Sequence, residues 1–289
     1  MADVKRKLPE GTRPLKLKKG KEKEDDTFRL PTKLSVPVTD LTEYSLFLFG
    51  EKKIGKTTLL SNFPKAVFLM TEPGGKSLSI YQTPVRRWRQ FKKAVAQLEK
   101  DTKFKTVIVD TVDLLFKMCE TYVCDKLGVD HVSEADWGRG WGALRDEFST
   151  QIQRLMSIEG KGVVFVSHAV EKKIKRGRNG PEYDRVVATL GGQGKDIIEG
   201  LVDMWFYYTY DDNRRVLVIE GDEHISAGHR LTDHFKDTKG RSIREIPMGG
   251  THLEAYSRFM QAFDNQMPAP KKATIPDDEP VKPLKKKRV

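Results

Sequence analysis

One nine-residue segment has the residue types of a phosphate-binding loop. Residues 50–58 read GEKKIGKTT and match G-x-x-x-x-G-K-[ST] directly after the apolar run YSLFLF. The glycines let backbone N–H groups turn toward phosphate oxygens, Lys56 reaches the β and γ phosphates, and the Thr57 hydroxyl ligates Mg²⁺. The segment therefore predicts a nucleotide site, and the alternative is a chance match in a basic turn. The predicted nucleotide contacts are Gly50, Glu51, Lys52, Lys53, Ile54, Gly55, Lys56, Thr57 and Thr58.

A carboxylate at a strand end completes the predicted metal site. The stretch FKTVIVDTVD places Asp110 after four β-favouring residues, where its side chain can hydrogen-bond the waters of a Mg²⁺ ion. Many strands end in Asp, so this residue alone is a weak signal. Together with the upstream loop it predicts Asp110 and Thr57 as the metal-binding pair.

The residues around Asp110 also discriminate between classes of nucleotide-binding protein. AAA+ machines usually place a catalytic Glu directly after this Asp, but Thr111 follows here, which argues against an AAA+ arrangement. The guanine motifs of Ras-type GTPases and the Arg-rich lid of nucleotide kinases are not found in usable positions. We therefore expect ATP, with the water-activating carboxylate elsewhere in the chain.

Glu72 is the candidate for that carboxylate. It follows the apolar run AVFLM, at the end of a predicted strand, where ligands bind in open parallel sheets. A carboxylate there can orient and polarise the water that attacks the γ-phosphate. The alternative is a glutamate that only begins the turn before PGG.

Short apolar runs alternate with helical patterns along the chain. Strands are predicted at 44–49, 66–70, 106–110, 162–168, 204–210 and 215–221, and helices at 85–100, 139–158 and 252–265. This alternation predicts an α/β fold with a mainly parallel twisted sheet flanked by helices. The last two strands, joined by DDNR, predict an appended antiparallel hairpin.

Charge is concentrated in the two ends of the chain. The formal net charge is +11, and residues 1–26 hold nine basic against six acidic residues while 268–289 hold seven against three. Both segments carry few large apolar groups, so we predict disordered basic tails around one domain at 43–265. They are interpreted either as solubilising arms or as accessory nucleic-acid contacts. No apolar run is long enough to span a bilayer, so no membrane partner is expected.

The order of these motifs resembles the RecA-like recombinase core, in particular the phage ATPases that act as single-strand annealing proteins. The phosphate loop is followed by a strand ending in Glu, a strand ending in Asp, then VVFVSH, a polar loop and LGGQGKDIIEGLVDMWFYY. The resemblance covers about residues 43–265. It implies a RecA-like P-loop NTPase fold with ATP and Mg²⁺ as cofactors. It also implies a DNA-dependent ATPase activity.

The same resemblance implies a nucleotide sensor and a DNA-binding segment. In that family the fourth strand ends in a polar residue, usually Gln, that senses the γ-phosphate and opens onto a DNA-binding loop; here it is His168. The residues beyond it form a basic, Gly-containing stretch, predicted as a mobile loop or hairpin that binds phosphates, with Tyr183 as a base-stacking face. The alternatives are a structural histidine and a solvated charged surface. The predicted DNA contacts are Lys172, Lys173, Lys175, Arg176, Arg178 and Tyr183.

Self-assembly and further partners are also implied by the resemblance. Filament-forming relatives complete the nucleotide site with a cation from a later segment or a neighbouring subunit, and Arg230 in SAGHRL is the match here. Expected partners are single-stranded DNA, further copies of the chain in a ring or filament, and a single-strand-binding protein or other recombination proteins. The predicted function is annealing or strand exchange in phage-type recombination.

Two other functions remain open on the sequence alone. One is a motor or loader ATPase acting on a protein partner in replication or packaging; the other is a non-catalytic, nucleotide-gated scaffold. A cytoplasmic location is expected because the N-terminal segment lacks the apolar stretch of a secretory signal. The C-terminal PLKKKRV also resembles a nuclear-import signal.

Overall fold

The computed structural model describes residues 30–100, 102–177 and 180–269. A compact unit begins at Val38, while residues 30–37 before it form neither helix nor strand. The predicted tails at 1–26 and almost all of 268–289, including the PLKKKRV segment, lie outside the described residues. Their disorder therefore stays a prediction.

The described residues form one mixed sheet whose central strands are parallel. The strands run in the order β10-β8-β7-β1-β5-β4-β2-β3, with β6 paired to β5 and β9 paired to β7. Pairing is parallel from β7 to β3 and antiparallel at β8, β10, β6 and β9. The strands are β1 (Ser45–Gly50), β2 (Ala66–Met70), β3 (Tyr81–Pro84), β4 (Thr106–Asp110), β5 (Gly162–Lys175), β6 (Glu182–Ala188), β7 (Met204–Asp211), β8 (Arg214–Val218), β9 (Gly228–His229) and β10 (Glu245–Pro247).

Helices cover both faces of this sheet. Helices α2 to α5 share one hydrophobic cluster with the sheet, and α1 and α6 share the other. Neither these helices nor any other helix in the described part of the chain is long and apolar enough to cross a membrane. The helices are α1 (Lys56–Leu60), α2 (Trp88–Leu98), α3 (Val112–Leu127), α4 (Arg139–Met156), α5 (Gly192–Leu201) and α6 (His252–Phe263).

Burial on both faces explains why the central strands are continuous apolar runs. In β1, Phe47 and Phe49 pack into one cluster while Leu46 and Leu48 pack into the other, so every position meets a helix layer. Phe47 also stacks on Trp205 of β7, with ring centroids 3.8 Å apart. The predicted α/β class, with its mainly parallel sheet and its β7–β8 hairpin, is confirmed.

The register of the parallel strands brings the predicted chemistry to one edge of the sheet. Gly50, the last residue of β1, is paired with His168 of β5, and Met70 of β2 is paired with Asp110 of β4. Since all four strands point the same way, the segments that leave them meet at their carboxyl ends. We call this edge the carboxyl edge.

Candidate functional site

The phosphate loop connects β1 to α1 at the carboxyl edge. Lys53 and Gly55 have positive φ angles of 66° and 108°, the left-handed conformation that occurs where successive backbone N–H groups form an anion-binding concavity. Gly50 is required for a different reason: a Cβ atom at this position would lie 2.2 Å from the Tyr208 carbonyl oxygen of β7. The first glycine of the motif thus permits close strand packing, and the second permits the turn.

The Lys56 side chain is folded back on this loop. Its Nζ donates hydrogen bonds to the carbonyl oxygens of Gly50 and Glu51, each at 2.8 Å, and the residue is only 6% exposed. Burial lowers the pKa of Lys56 to about 8, although the carboxylates of Asp110 and Glu72 oppose this shift. The loop therefore holds a buried ammonium group that forms no ion pair with a carboxylate of the described residues, and a phosphate would neutralise it.

Thr57 and Asp110 form the predicted metal-binding pair. The Thr57 hydroxyl donates to the Asp110 carboxylate, with 2.7 Å between Oγ1 and Oδ2. Burial raises the pKa of Asp110, while the bond from Thr57 acts in the opposite direction. A hydroxyl and a carboxylate oxygen held together are ligands of the kind that Mg²⁺ prefers, so the donor set fits this ion.

Glu72 and His168 meet next to this pair. His168 Nε2 lies 3.5 Å from Glu72 Oε1, and the two residues line a cavity of about 230 Å³ together with Lys56, Thr57 and Asp110. The structure thus brings the predicted water-activating carboxylate and the predicted sensor into one site. Glu72 and His168 thus have the placement that both predicted roles require.

Two threonines that the sequence did not assign position Glu72. The Thr111 hydroxyl donates to Glu72 Oε1 at 2.8 Å, and the Thr71 hydroxyl donates to the Thr111 carbonyl oxygen at 2.7 Å. The Thr111 N–H returns a bond of 2.7 Å to the Thr71 hydroxyl. Thr111, which the sequence analysis used only to distinguish classes of ATPase, therefore orients Glu72, the predicted water-activating carboxylate.

A second network joins the start of α3 to the strand that carries His168. Asp113 Oδ1 accepts hydrogen bonds from the hydroxyls of Ser167, at 3.0 Å, and Thr189, at 2.6 Å. The Thr189 N–H donates to the His168 carbonyl oxygen at 2.8 Å. Asp113, at the start of the helix that follows β4, thus links that helix to Ser167 before the basic stretch and to Thr189 after it. The signal for this residue was the second carboxylate in VDTVD.

The basic stretch is a strand pair rather than an open loop. β5 continues beyond His168 to Lys175 and pairs with β6 throughout, from Ala169↔Ala188 to Lys175↔Glu182. The predicted alternatives of loop and hairpin are thus resolved in favour of a hairpin, at least as far as the pairing extends. Arg178 lies outside the described residues. We call residues 169–188 the β5–β6 hairpin.

The two faces of this hairpin differ in charge. On one face Lys172 lies opposite Arg185, next to the Ile174 and Tyr183 pair, and the paired positions from Lys172 to Ile174 on this face include no carboxylate. The other face is neutralised: Lys173 lies opposite Asp184 and Lys175 forms an ion pair with Glu182 at 3.3 Å. Arg176 is also paired, to Glu223. The predicted DNA contacts therefore separate into Lys172 and Tyr183 on the face without carboxylates, which we call the open face, and Lys173 and Lys175 on the other, which we call the closed face; Arg176 lies beyond the paired residues.

The structure does not bring Arg230 to the phosphate loop of its own subunit. The Arg230 N–H donates to the carbonyl oxygen of Asp203, directly before β7, and the Arg230 guanidinium donates to the Gly200 carbonyl oxygen at 2.8 Å. Because β7 is parallel to β1, its start lies at the edge of the sheet opposite the phosphate loop. The preceding strand β9 is antiparallel and carries the chain away from the site. Only a contact with a neighbouring subunit's nucleotide stays a prediction.

A second cavity extends from the phosphate loop on its other side. It measures about 420 Å³ and shares Lys53, Gly55 and Thr58 with the smaller cavity. Its far wall includes Arg215, whose guanidinium donates to the Ile54 carbonyl oxygen at 3.1 Å, and His252 at the start of α6. No local pattern could have predicted this wall, because Ile54, Arg215 and His252 are distant along the chain.

Comparison with known proteins gives a family model and several relatives. The AAA domain model (AAA_24) matches residues 42–231. A curated relative, the SPbeta prophage-derived uncharacterized protein YorG of Bacillus subtilis (strain 168), is 29% identical over 172 residues, which are 57% of this chain and 52% of the relative. The chain thus spans about half the length of that relative.

Two solved structures are similar only at a distance. The RadB recombinase has a TM-score of 0.40 at 15% identity, over 74% of this chain and 89% of that one. An ATPase of a bacterial type III secretion system has a TM-score of 0.36 at 12% identity, over 57% and 51%. The family match, by contrast, covers all the residues named in the smaller cavity, from the phosphate loop to His168. Our exclusion of the AAA class from Thr111 alone is therefore not upheld.

Proposed function

This chain belongs to the AAA domain family of P-loop ATPases, and from that premise we propose a RecA-like ATPase that binds single-stranded DNA and promotes annealing or strand exchange in phage-type recombination. One observation carries the proposal. Strand β5 contributes His168 to the proposed nucleotide site and continues without interruption into the β5–β6 hairpin, whose open face carries Lys172 and Arg185. A nucleotide site and a cationic, aromatic surface thus share one strand.

The phosphates of the nucleotide would occupy the smaller cavity and its nucleoside the larger one. Lys56 and the backbone N–H groups of the loop would hold the β and γ phosphates, and Thr57 with Asp110 would hold Mg²⁺. The larger cavity beside Arg215 has room for the nucleoside. When bound, ATP supplies the phosphoanhydride bond that is cleaved, and Mg²⁺ neutralises part of its charge.

Glu72 would act as the general base. Its carboxylate is fixed by the Thr111 hydroxyl and is about one-third exposed, with a side-chain accessibility of 36%, so it can both orient a water molecule and pass the abstracted proton to solvent. His168 lies beside the same carboxylate. A change in the charge around Glu72 would therefore act directly on His168, the residue that precedes the hairpin.

The open face of the hairpin would bind the DNA backbone. Like charges directly opposite each other in a strand pair destabilise it, so the juxtaposition of Lys172 and Arg185 favours a polyanion between them. Tyr183, which contacts the His224 ring edge-on at 5.8 Å, adds an aromatic surface of the kind on which bases stack. The prophage origin of the Bacillus subtilis relative agrees with a role in phage recombination.

ATP turnover with and without single-stranded DNA tests this proposal. We expect DNA to stimulate hydrolysis, ATP to raise DNA affinity, and Glu72→Gln to reduce turnover by about 10²- to 10⁴-fold while nucleotide binding persists. No DNA binding at low salt would refute the DNA role and favour an ATPase that acts on a protein partner. Nucleotide binding without turnover in the wild type would favour a nucleotide-gated scaffold.

The two faces of the hairpin supply a matched comparison. The double variant Lys172→Gln/Arg185→Gln removes two cations from the open face, whereas Lys173→Gln/Lys175→Gln removes two from the closed face. We expect the first pair to lower DNA affinity and the second to have little effect, because the closed-face lysines already face carboxylates. Equal losses would show that net charge, and not the open face, governs binding.

A further inference from the structure

A cluster of arginines at the start of α2 has no role in the proposed site. Arg86, Arg87 and Arg89 are all exposed and follow β3 directly. The Val85 N–H donates to the Met70 carbonyl oxygen at 2.7 Å, and Met70 is the last residue of β2. The cluster therefore lies at the carboxyl edge, beside the strand that leads to Glu72.

These arginines are unfavourably placed for the stability of the helix. The N-terminal end of a helix carries a partial positive charge, and the first turn of α2 contains no acidic residue to balance it. Among the residues that the structure describes, no carboxylate forms an ion pair with these three guanidinium groups. Sequence features that oppose local stability are expected mainly at functional sites.

The cluster forms one wall of a groove. A cavity of about 400 Å³ separates it from α3, whose Met118, Thr121, Tyr122 and Asp125 form the facing wall. The Tyr122 ring carries two cations, with the Arg89 guanidinium 5.6 Å and the Lys92 ammonium 5.1 Å from its centroid. The Lys92 ammonium also forms an ion pair with Glu147 at 2.8 Å, whereas the cation–π contact holds the Arg89 guanidinium beside the groove without neutralising it.

We propose that this arginine groove binds the phosphate backbone of single-stranded DNA, as a second contact beyond the β5–β6 hairpin. The inference rests on the proposed function, because it takes the same strand as ligand. Guanidinium groups match phosphate oxygens in a bidentate fashion, and three of them line the groove against one carboxylate, Asp125.

The position of the groove favours a ligand that also reaches the hairpin. In the sheet, β3 lies three strands from β5, which is about 14 Å at the usual spacing between strands. The hairpin continues β5 beyond the carboxyl edge and the arginines follow β3 at the same edge, while β4 and β2, which lead to Asp110 and Glu72, lie between these two strands. A flexible polyanion can contact both surfaces at once. Its phosphates would then pass close to the proposed nucleotide site.

A charge-matched pair of variants tests the groove. Arg86→Gln/Arg87→Gln/Arg89→Gln removes three charges from it, and glutamine is compatible with a helix. The control, Lys65→Gln/Lys100→Gln/Lys105→Gln, removes three exposed charges; Lys65 and Lys105 directly precede β2 and β4, at the opposite edge of the sheet. Unfolding midpoints of both variants establish that they are folded.

The measurement is the affinity for an oligothymidylate as a function of salt. Loss of three phosphate contacts reduces the slope of log affinity against log salt by about 2, which is about a 100-fold loss near 0.1 M salt. We expect this change in the arginine variant and not in the lysine control. If the arginine variant and the lysine control show the same salt slope and affinity, while the open-face hairpin variant loses affinity, the groove does not bind DNA. The proposed function would then still hold.

A wild type that does not bind DNA would instead refute both proposals. An arginine variant that keeps DNA affinity but loses binding to an acidic protein would assign the groove to a protein partner and overturn the inference. A folded variant whose affinity falls without a change in the salt slope would also overturn it, because phosphate contacts must release counterions.

Discussion

Substitution of Lys56 should stabilise the nucleotide-free protein at neutral pH. The Lys56 ammonium is buried in the phosphate loop, and its pKa is lowered from 10.5 to about 8, chiefly by burial. The unfolded chain holds this proton more tightly than the folded protein does. Stability must therefore rise with pH between about 8 and 10.5, as the cost of burying the charge disappears.

The magnitude follows from the two pKa values. A shift of about 2.5 units corresponds to a cost of about 3 kcal/mol at pH 7, of which about 1 kcal/mol remains at pH 9.5. The free energy of unfolding should thus gain about 2 kcal/mol between these pH values from Lys56 alone. Lys56→Met removes the titrating group but keeps a side chain of similar length, so this gain should be absent from the variant.

Urea unfolding of both proteins at pH 7 and pH 9.5 measures the effect. Other titrating groups contribute equally to the wild type and to Lys56→Met, so the difference between the two pH shifts isolates this one residue. The nucleotide-free Lys56→Met protein should also be more stable than wild type at pH 7. Equal pH shifts in the two proteins would refute the reasoning, since the loop would then hold its lysine without a cost of burial.

Three further predictions concern the loop, the base and the coupling network. Gly50→Ala should cost about 2 kcal/mol or more in urea unfolding because its Cβ would collide with β7, whereas Gly142→Ala, in open space on α4, should stabilise by about 0.5–1 kcal/mol. Thr111→Val should lower steady-state ATP turnover by about tenfold with unchanged ATP affinity, as expected for loss of one hydrogen bond to Glu72; an effect as large as removing the base would contradict a positioning role. Asp113→Ala should abolish the ATP-dependent gain in DNA affinity measured by fluorescence anisotropy, and an unchanged gain would exclude Asp113 from the coupling.

The sequence predicted those parts of the structure that have a local cause. The apolar runs at 66–70 and 106–110 coincide with β2 and β4, because a strand buried on both faces must be apolar at every position. Asp110 and Glu72 were found because they follow such runs. In contrast, β3 is exposed along its length and has no apolar pattern, so its sequence carried no strand signal.

The remaining features depend on contacts between distant segments. The lysines beyond His168 predicted a mobile loop or a hairpin, but Asp184 and Glu182, which lie opposite Lys173 and Lys175, come from the returning strand, and only the pairing shows which cations lie opposite carboxylates. For Arg230, the order of elements along the chain was compatible with either edge of the sheet. The antiparallel β9 decided between them, and no local pattern in two residues could have shown its pairing.

The continuity of β5 has a mechanical consequence. Seven of its residues lie beyond His168, so at the usual rise per residue Lys175 stands about 23 Å from the nucleotide site. For a ribbon that tilts as a rigid body, a tilt of about 10° at its base would carry its tip about 4 Å, close to the spacing of neighbouring strands. Small movements at the proposed nucleotide site, too small to alter the sheet, would thus be amplified into displacements of several ångströms at the tip of the hairpin, where we propose that DNA binds.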